Sequence, residues 1–244
     1  MDPVSRDIFR FRQFAVSNRQ SAMKITTDSI LLGAWAEVAG ARRILDAGTG
    51  TGVLALMMAQ RAENALITAI EIDPVAANEA KANFETSPWA ERIQSVAGDF
   101  LEMECGGGGG FDLIISNPPF FGTGEKAPDA RRAMARHGSG FNLQSLISHS
   151  AGLLRPGGRL AFVAPSLRDE EVEFHAVLHG LSVRRHTSVV TRRKSNLPER
   201  SLWMLVKGTD GGYSHDVLYI RNPHDGGYSE AYRELVKDFY LWMN

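Results

Sequence analysis

From about residue 41 onward, short runs of apolar and β-branched residues alternate with longer stretches in which apolar residues recur at helical spacing. Such alternation predicts parallel strands joined by helical crossovers. Arg43 to Ala47 reads as a strand running into glycines, and Val53 to Glu63 as the helix that packs back on it. Leu66 to Ile72 predicts a second strand; Pro74 suits a helix start, and Val75 to Phe84 reads as a half-exposed helix. Strands follow at Ile93 to Val96, Phe111 to Ser116 and Arg159 to Ala164, with a helix from Leu143 to Leu154 that Arg155-Pro156-Gly157-Gly158 stops. Arg168 to His179 predicts a charged helix, and Ser182 to Thr191, Leu202 to Val206 and Val217 to Ile220 predict strands at the sheet edge. Tyr232, Leu235, Val236, Phe239 and Tyr240 fall on one face of a C-terminal amphipathic helix. No repeat or long linker interrupts the pattern. The chain therefore reads as one α/β domain, residues 1–40 forming an N-terminal segment and residues 41–244 the core.

Composition narrows the setting. The 27 Lys+Arg nearly cancel the 28 Asp+Glu, so a nucleic-acid partner has to be met by a local basic patch. A single cysteine, Cys105, excludes an intramolecular disulfide and a cysteine-based zinc site, and no metal site is expected. No apolar run is long enough to span a membrane and the first residues carry no secretory signal, which leads to the expectation of a soluble, cytoplasmic monomer. The five glycines Gly106 to Gly110 read as a surface loop to which no function is assigned.

The first strand leads into Asp46-Ala47-Gly48-Thr49-Gly50-Thr51-Gly52, which opens directly into a helix. Glycines at 48, 50 and 52 do not fit the G-x-G-x-x-G dinucleotide spacing, and an acid two positions before the first glycine would repel a pyrophosphate while attracting a sulfonium cation. The turn, with Thr49, thus favours S-adenosylmethionine over NAD or ATP. Glu71, with Ile72 beside it, stands 19 positions after Gly52, where an acid takes the two hydroxyls of an adenosine ribose. Asp99 follows the third strand and can accept from an adenine amino group, with Phe100 walling the ring. Each acid alone more often is a cap or a solvated loop residue; three in order at successive strand ends point to one crevice.

The fourth strand ends in Asn117-Pro118-Pro119-Phe120. Two prolines stiffen the backbone so that the Asn117 side chain and the Pro118 carbonyl face the same crevice, and both oxygens are acceptors. An exocyclic amine conjugated to a ring is a poor nucleophile, and two acceptors holding its N–H groups would turn its lone pair toward a sulfonium methyl. Phe120 can stack on the target ring. A glutamine amide is a planar nitrogen that suits the same grip, so protein glutamine methylation is an alternative. Duplex-DNA adenine methylation and a noncatalytic RNA-binding module with this fold are further alternatives.

Together the glycine turn, Glu71, Asp99 and Asn117 to Phe120 resemble the amino-methyltransferase group of the Rossmann-like class I methyltransferases that use S-adenosylmethionine. More narrowly, Phe9-Arg10-Phe11-Arg12-Gln13-Phe14, Ala22-Met23-Lys24, Thr27 to Trp35 and Ala135-Arg136-His137 resemble the bacterial family that methylates N6 of adenine 37 in a valine tRNA. The resemblance covers nearly the whole chain. It implies a seven-stranded, mostly parallel sheet with helices on both faces and an antiparallel last hairpin. It also implies methyl transfer at Asn117, Pro118, Pro119 and Phe120, with Lys24, Thr27 and Asp28 closing over the methionine end of the cofactor. The pentaglycine and Gly138-Ser139-Gly140 depart from the family pattern.

A tRNA needs cations along its phosphates. Arg192, Arg193, Lys194 and Arg200 predict a basic loop between two strands, and Arg131, Arg132, Arg136 and His137 lie just beyond Phe120. His137 reads as packed or phosphate-facing rather than as a base. Arg10 and Arg12 alternate with Phe9 and Phe11, the pattern of an N-terminal strand with a basic outer face.

Overall fold

A computed structural model describes residues 7–21, 24–105, 109–118, 141–191, 197–208, 212–222 and 224–243. The N-terminal segment forms a two-stranded antiparallel hairpin, β1 (Ile8–Arg10) with β2 (Ala15–Ser17), followed by helix α1 (Thr27–Trp35). The core then runs β3 (Arg43–Ala47), α2 (Val53–Arg61), β4 (Leu66–Glu71), α3 (Pro74–Glu85), β5 (Ile93–Ala97) and β6 (Phe111–Ser116). After the segment 119–140 come α4 (Leu143–Leu153), β7 (Leu154–Pro165), α5 (Asp169–Leu178), β8 (Leu181–Val190), β9 (Arg200–Lys207), β10 (Ser214–Tyr219) and α6 (Glu230–Val236).

The strand order is β10-β8-β9-β7-β6-β3-β4-β5. Pairings from β7 through β5 are parallel, and β9 is antiparallel to both β7 and β8. The sheet thus contains the seven strands and antiparallel hairpin that the resemblance implies, and the edge strand read at Val217 to Ile220 is its eighth, β10, parallel to β8. Ser182 to Thr191 and Leu202 to Val206 are corrected from edge strands to interior ones: β8 lies between β10 and β9, and β9 between β7 and β8, with Leu202, Trp203 and Leu205 fully buried. The continuous apolar run of β9 is what burial on both faces requires.

Side chains of the central strands divide by parity between two cores. Ile44, Leu113, Ile115, Ala161 and Val163 pack with α1, α2 and the C-terminal segment, whereas Leu45, Ala47, Ile114, Leu160 and Phe162 pack with α4 and α5. The period-two alternation of a strand therefore serves two hydrophobic layers. Tyr232, Val236, Phe239 and Tyr240 bury as the sequence predicts, although α6 itself stops at Val236. Arg10 and Arg12 are exposed while Phe9 and Phe11 pack against the core, the alternation read from the sequence, and the Arg12 guanidinium donates to the carbonyls of Tyr240 (2.9 Å) and Met243 (2.8 Å), fastening the N-terminal segment to the C-terminal one.

Candidate active site

After β3 the chain crosses to β4 and β5 on one side, then returns to β6 on the other. The carboxyl ends of β3 and β6 are therefore the switch point at which open α/β sheets bind ligands. The Ser116 hydroxyl donates to the Ala47 carbonyl at 2.7 Å and locks those two strand ends together. Just beyond them opens a cleft of about 870 Å3, counting its open mouth.

The glycine turn forms the cleft floor. Gly48 and Thr49 both donate backbone N–H groups to the Ile70 carbonyl at 3.0 Å, so the turn is tied to β4. Gly48, Gly50 and Gly52 have φ of 72°, 55° and 85°, a region that disfavours side chains. Gly52 is the N-cap of α2 and has no side chain to cap it. Asp46 takes over that task from the end of β3: its Oδ2 accepts the Ala55 N–H at 3.0 Å and the Thr49 hydroxyl at 2.5 Å. Burial pushes the Asp46 carboxyl up to about 7, against the Thr49 and Ala55 bonds that pull it down, with Glu71 adding repulsion. Asp46 and Gly52 thus build the turn from beneath and do not line the cleft. A Cβ at Gly52 would collide with the Phe84 ring, which explains the third glycine by packing.

Glu71, at the end of β4, accepts the Gly50 N–H at 2.8 Å and the Asp73 N–H at 3.0 Å, one on each carboxylate oxygen. Each oxygen keeps lone-pair capacity toward the cleft. Burial raises the Glu71 carboxyl above its ordinary range, partly offset by the Asp73 and Gly50 amides. Ile72 lies 42% exposed along the cleft, an apolar surface suited to one face of a flat ring. Asp99 caps a short 3-10 turn by accepting the Leu101 N–H at 2.9 Å, and it lines the cleft beside buried Phe100. Phe100 is held edge-on by Phe141 and His149, with ring centroids 5.5 Å and 4.9 Å away.

Asn117 and Pro118 complete the wall at the end of β6. Asn117 Nδ2 donates to the Ser29 hydroxyl at 2.8 Å, which joins the reaction motif to α1. Pro119 and Phe120 lie outside the described residues, as do Arg131, Arg132, Arg136, His137, Arg192, Arg193 and Lys194. Lys24 lines the cleft with its Nζ on the carbonyls of Asn18 (2.5 Å) and Arg19 (3.2 Å). Thr27 and Asp28, expected over the cofactor, start α1 outside the lining, and Asp28 instead accepts from Arg200 Nε at 2.8 Å. Arg200 is accordingly half of an ion pair rather than a bare phosphate contact.

Ser29, Ile25 and Phe141 also line the cleft, and Glu79 on α3 holds the segment that leads to Lys24, none of them singled out by the sequence. Glu79 accepts the backbone N–H groups of Arg19, Gln20 and Ser21 and the Ser17 hydroxyl, at 2.7 to 3.1 Å. Asn83, one turn along α3, accepts the Ser17 N–H and donates to the Thr51 carbonyl, linking that strap to the glycine turn. An i, i+4 polar pair on an alanine-rich helix signals nothing in sequence beyond a solvated face.

The donor set fits S-adenosylmethionine. Glu71 can take two ribose hydroxyls, Asp99 an amino group, Ile72 and Phe100 the faces of a purine, and the side-chain-free turn admits the methionine portion. Comparison with known proteins agrees. The sequence model of the Methyltransferase small domain family matches residues 20–188. The chain is 40% identical to the tRNA1(Val) (adenine(37)-N6)-methyltransferase of Bacteroides thetaiotaomicron, over 98% of this chain and 100% of that one. It is likewise 40% identical to the protein of that name from Tolumonas auensis, over 97% and 98%. Among solved structures, a predicted O-methyltransferase from Agrobacterium tumefaciens superposes with a TM-score of 0.65 at 19% identity, over 87% of this chain and 96% of that one, a likeness of fold. A class I methyltransferase sheet with its cleft at the β3/β6 switch point and near-full-length relatives of one name lead to a single assignment: the chain belongs to the tRNA1(Val) (adenine(37)-N6)-methyltransferase family.

Proposed function

We propose that the chain methylates N6 of adenine 37 in tRNA1(Val) with S-adenosylmethionine as donor. The observation that carries this reading is the convergence of Asn117 and Pro118 on the cleft formed by the glycine turn, Glu71 and Asp99. When bound, S-adenosylmethionine supplies an electrophilic methyl group on a sulfonium sulfur. Glu71 holds the ribose, Asp99 the adenine amino group, and Ile72 and Phe100 the ring faces. Asn117 Oδ1 and the Pro118 carbonyl accept the two N–H groups of the target amine and draw its nitrogen toward tetrahedral geometry, so that no strong base is needed before attack. Phe120 stacks on the extruded base in this reading.

Phosphate contacts fall to Arg131, Arg132, Arg136 and His137 and to Arg192, Arg193 and Lys194, two basic segments that follow the reaction motif in sequence. Arg200 contributes less, because Asp28 already meets its charge. Residues 1–40 close the cofactor cleft over the core 41–244, a division that the Glu79 and Asn83 bonds to residues 17–21 support. In this reading the enzyme acts as a monomer, and a tRNA substrate together with a lone free cysteine supports a cytoplasmic setting. No helix among the described residues is long and apolar enough to cross a membrane.

The test is methyl transfer from labelled S-adenosylmethionine to unmodified bulk tRNA, a release-factor protein and duplex DNA in parallel. N6-methyladenosine recovered from tRNA alone, mapped to position 37, is the expected product. Label in the protein acceptor, or in none, rejects the proposal.

A further inference from the structure

We infer that Ser29 is a positioning residue for the methyl acceptor, acting through the Asn117 amide. The inference rests on the functional reading above and deepens it. Asn117 follows β6, Ser29 lies in the first turn of α1, and the two meet through Nδ2 and Oγ at 2.8 Å. Both line the cleft, and Ser29 is only 6% exposed. A carboxamide has a donor end and an acceptor end of nearly the same shape, and its neighbours decide which way it points. An exocyclic amine brings N–H donors, so only the amide oxygen can receive it. With the NH2 group turned to Ser29, the oxygen is the end left for the cleft, and it has no partner among the described residues. The opposite rotamer would set donor against donor at the reacting nitrogen.

The Ser29 hydroxyl has a second neighbour, Thr26 Oγ1, that can take its proton. Thr26 caps α1 by taking the Ser29 N–H on its Oγ1 at 3.3 Å, and the two hydroxyl oxygens lie 3.4 Å apart. The Ser29 proton directed to Thr26 leaves the Ser29 lone pairs facing Asn117. The next residue back, Asp28, ties the same helix turn to Arg200 at the start of β9. The acceptor side of the reaction site is thereby registered against α1, an element from the N-terminal segment, and not by β6 alone.

Ser29→Ala and Ser29→Thr test this in single-turnover methyl transfer to unmodified tRNA1(Val), with S-adenosylhomocysteine affinity and thermal midpoint measured on each variant. Ser29→Ala is expected to slow the single-turnover rate about tenfold, since it releases the orientation of one reacting contact. Cofactor-product affinity should stay within about twofold, and Ser29→Thr, which keeps the hydroxyl, within about threefold of the wild-type rate. An alanine variant as fast as wild type overturns the inference. So does one slowed only in proportion to lost cofactor affinity or lost folded protein, which would make Ser29 a cofactor contact or a helix cap. Wild-type protein that methylates no tRNA overturns the functional reading instead and takes this inference with it, whereas an active wild type with a fast alanine variant removes this inference alone.

Discussion

Arg200 and Asp28 form a 2.8 Å ion pair that joins the start of β9 to the first turn of α1. Both side chains are partly solvent-exposed, so the pair contributes at most about 1 kcal/mol to stability. Arg200→Ala should accordingly shift a urea midpoint only slightly. Its charge is already met within the protein, so it should alter the salt dependence of tRNA binding less than Arg192→Ala or Arg193→Ala does. Binding isotherms at several salt concentrations measure this directly, and an Arg200 slope change equal to the other two would contradict it.

Glu71 anchors the cofactor reading. Hydrogen bonds to a charged acceptor contribute about 1.5 to 3 kcal/mol each. Glu71→Ala should therefore raise KM for S-adenosylmethionine thirtyfold or more, with a smaller effect on kcat, and leave KM for tRNA within a few-fold. Asn117→Ala should do the reverse, keeping cofactor affinity while kcat falls by about a hundredfold.

Gly52→Ala should be among the most destabilising single-methyl additions in the chain. The residue sits at φ 85° with the Phe84 ring where a Cβ would go. Left-handed strain and overpacking add to a loss of about 2 to 4 kcal/mol. Chemical denaturation reads this out, and Gly40→Ala, at φ 73° with nothing near its Cβ, serves as the control for strain alone.

Glu79 holds three successive backbone N–H groups of the strap 19–21, and those bonds keep its carboxyl below the ordinary range even though burial opposes them. A depressed carboxyl contributes stability that is present above its unfolded value and lost as pH falls through the folded one. Glu79→Ala leaves those amides without their acceptor, at a cost of about 3 kcal/mol. Trypsin should then cut after Arg19 and Lys24 far faster than in wild type, and added S-adenosylmethionine should slow the cutting; equal rates in the two proteins would argue against the strap's dependence on Glu79.

Asp46 predicts the opposite pH dependence. Its folded value near 7 lies above the ordinary 3.8, so the folded state holds a proton that the unfolded chain releases between about pH 4 and 7. Stability from this group is full below that window and falls as pH rises through it. Asp46→Asn removes the titration, so the difference in thermal midpoint, mutant minus wild type, should grow from pH 4 to pH 7. A constant difference across that range would refute the buried-carboxyl assignment.

Much of this protein could be read along the chain because the physics is local. Strand and helix positions from Arg43 to Leu178 follow from apolar period and from punctuation by proline and glycine, and Glu71, Asp99 and Asn117 are recognisable because a parallel strand must end where its ligand begins. Asp46 shows the limit of such reading. Its position two residues before the first glycine suggested a charge facing a cation, yet the same position lets it reach the Ala55 amide and replace the missing cap of α2.

The amino-acid sequence by itself determined the order of the elements, the turn chemistry and the residue types at four successive strand ends, since each depends on neighbours a few positions away. The tertiary structure decided what depends on contacts between distant segments: that β10 pairs parallel with β8, that Arg12 closes on Met243, that Arg200 belongs to Asp28, and that Glu79 grips the strap. It also decided that Asn117 is turned by Ser29, 88 positions away. A hydrogen bond is short-ranged in space and indifferent to separation along the chain, so no period or spacing could have announced these pairings before the sheet brought them together.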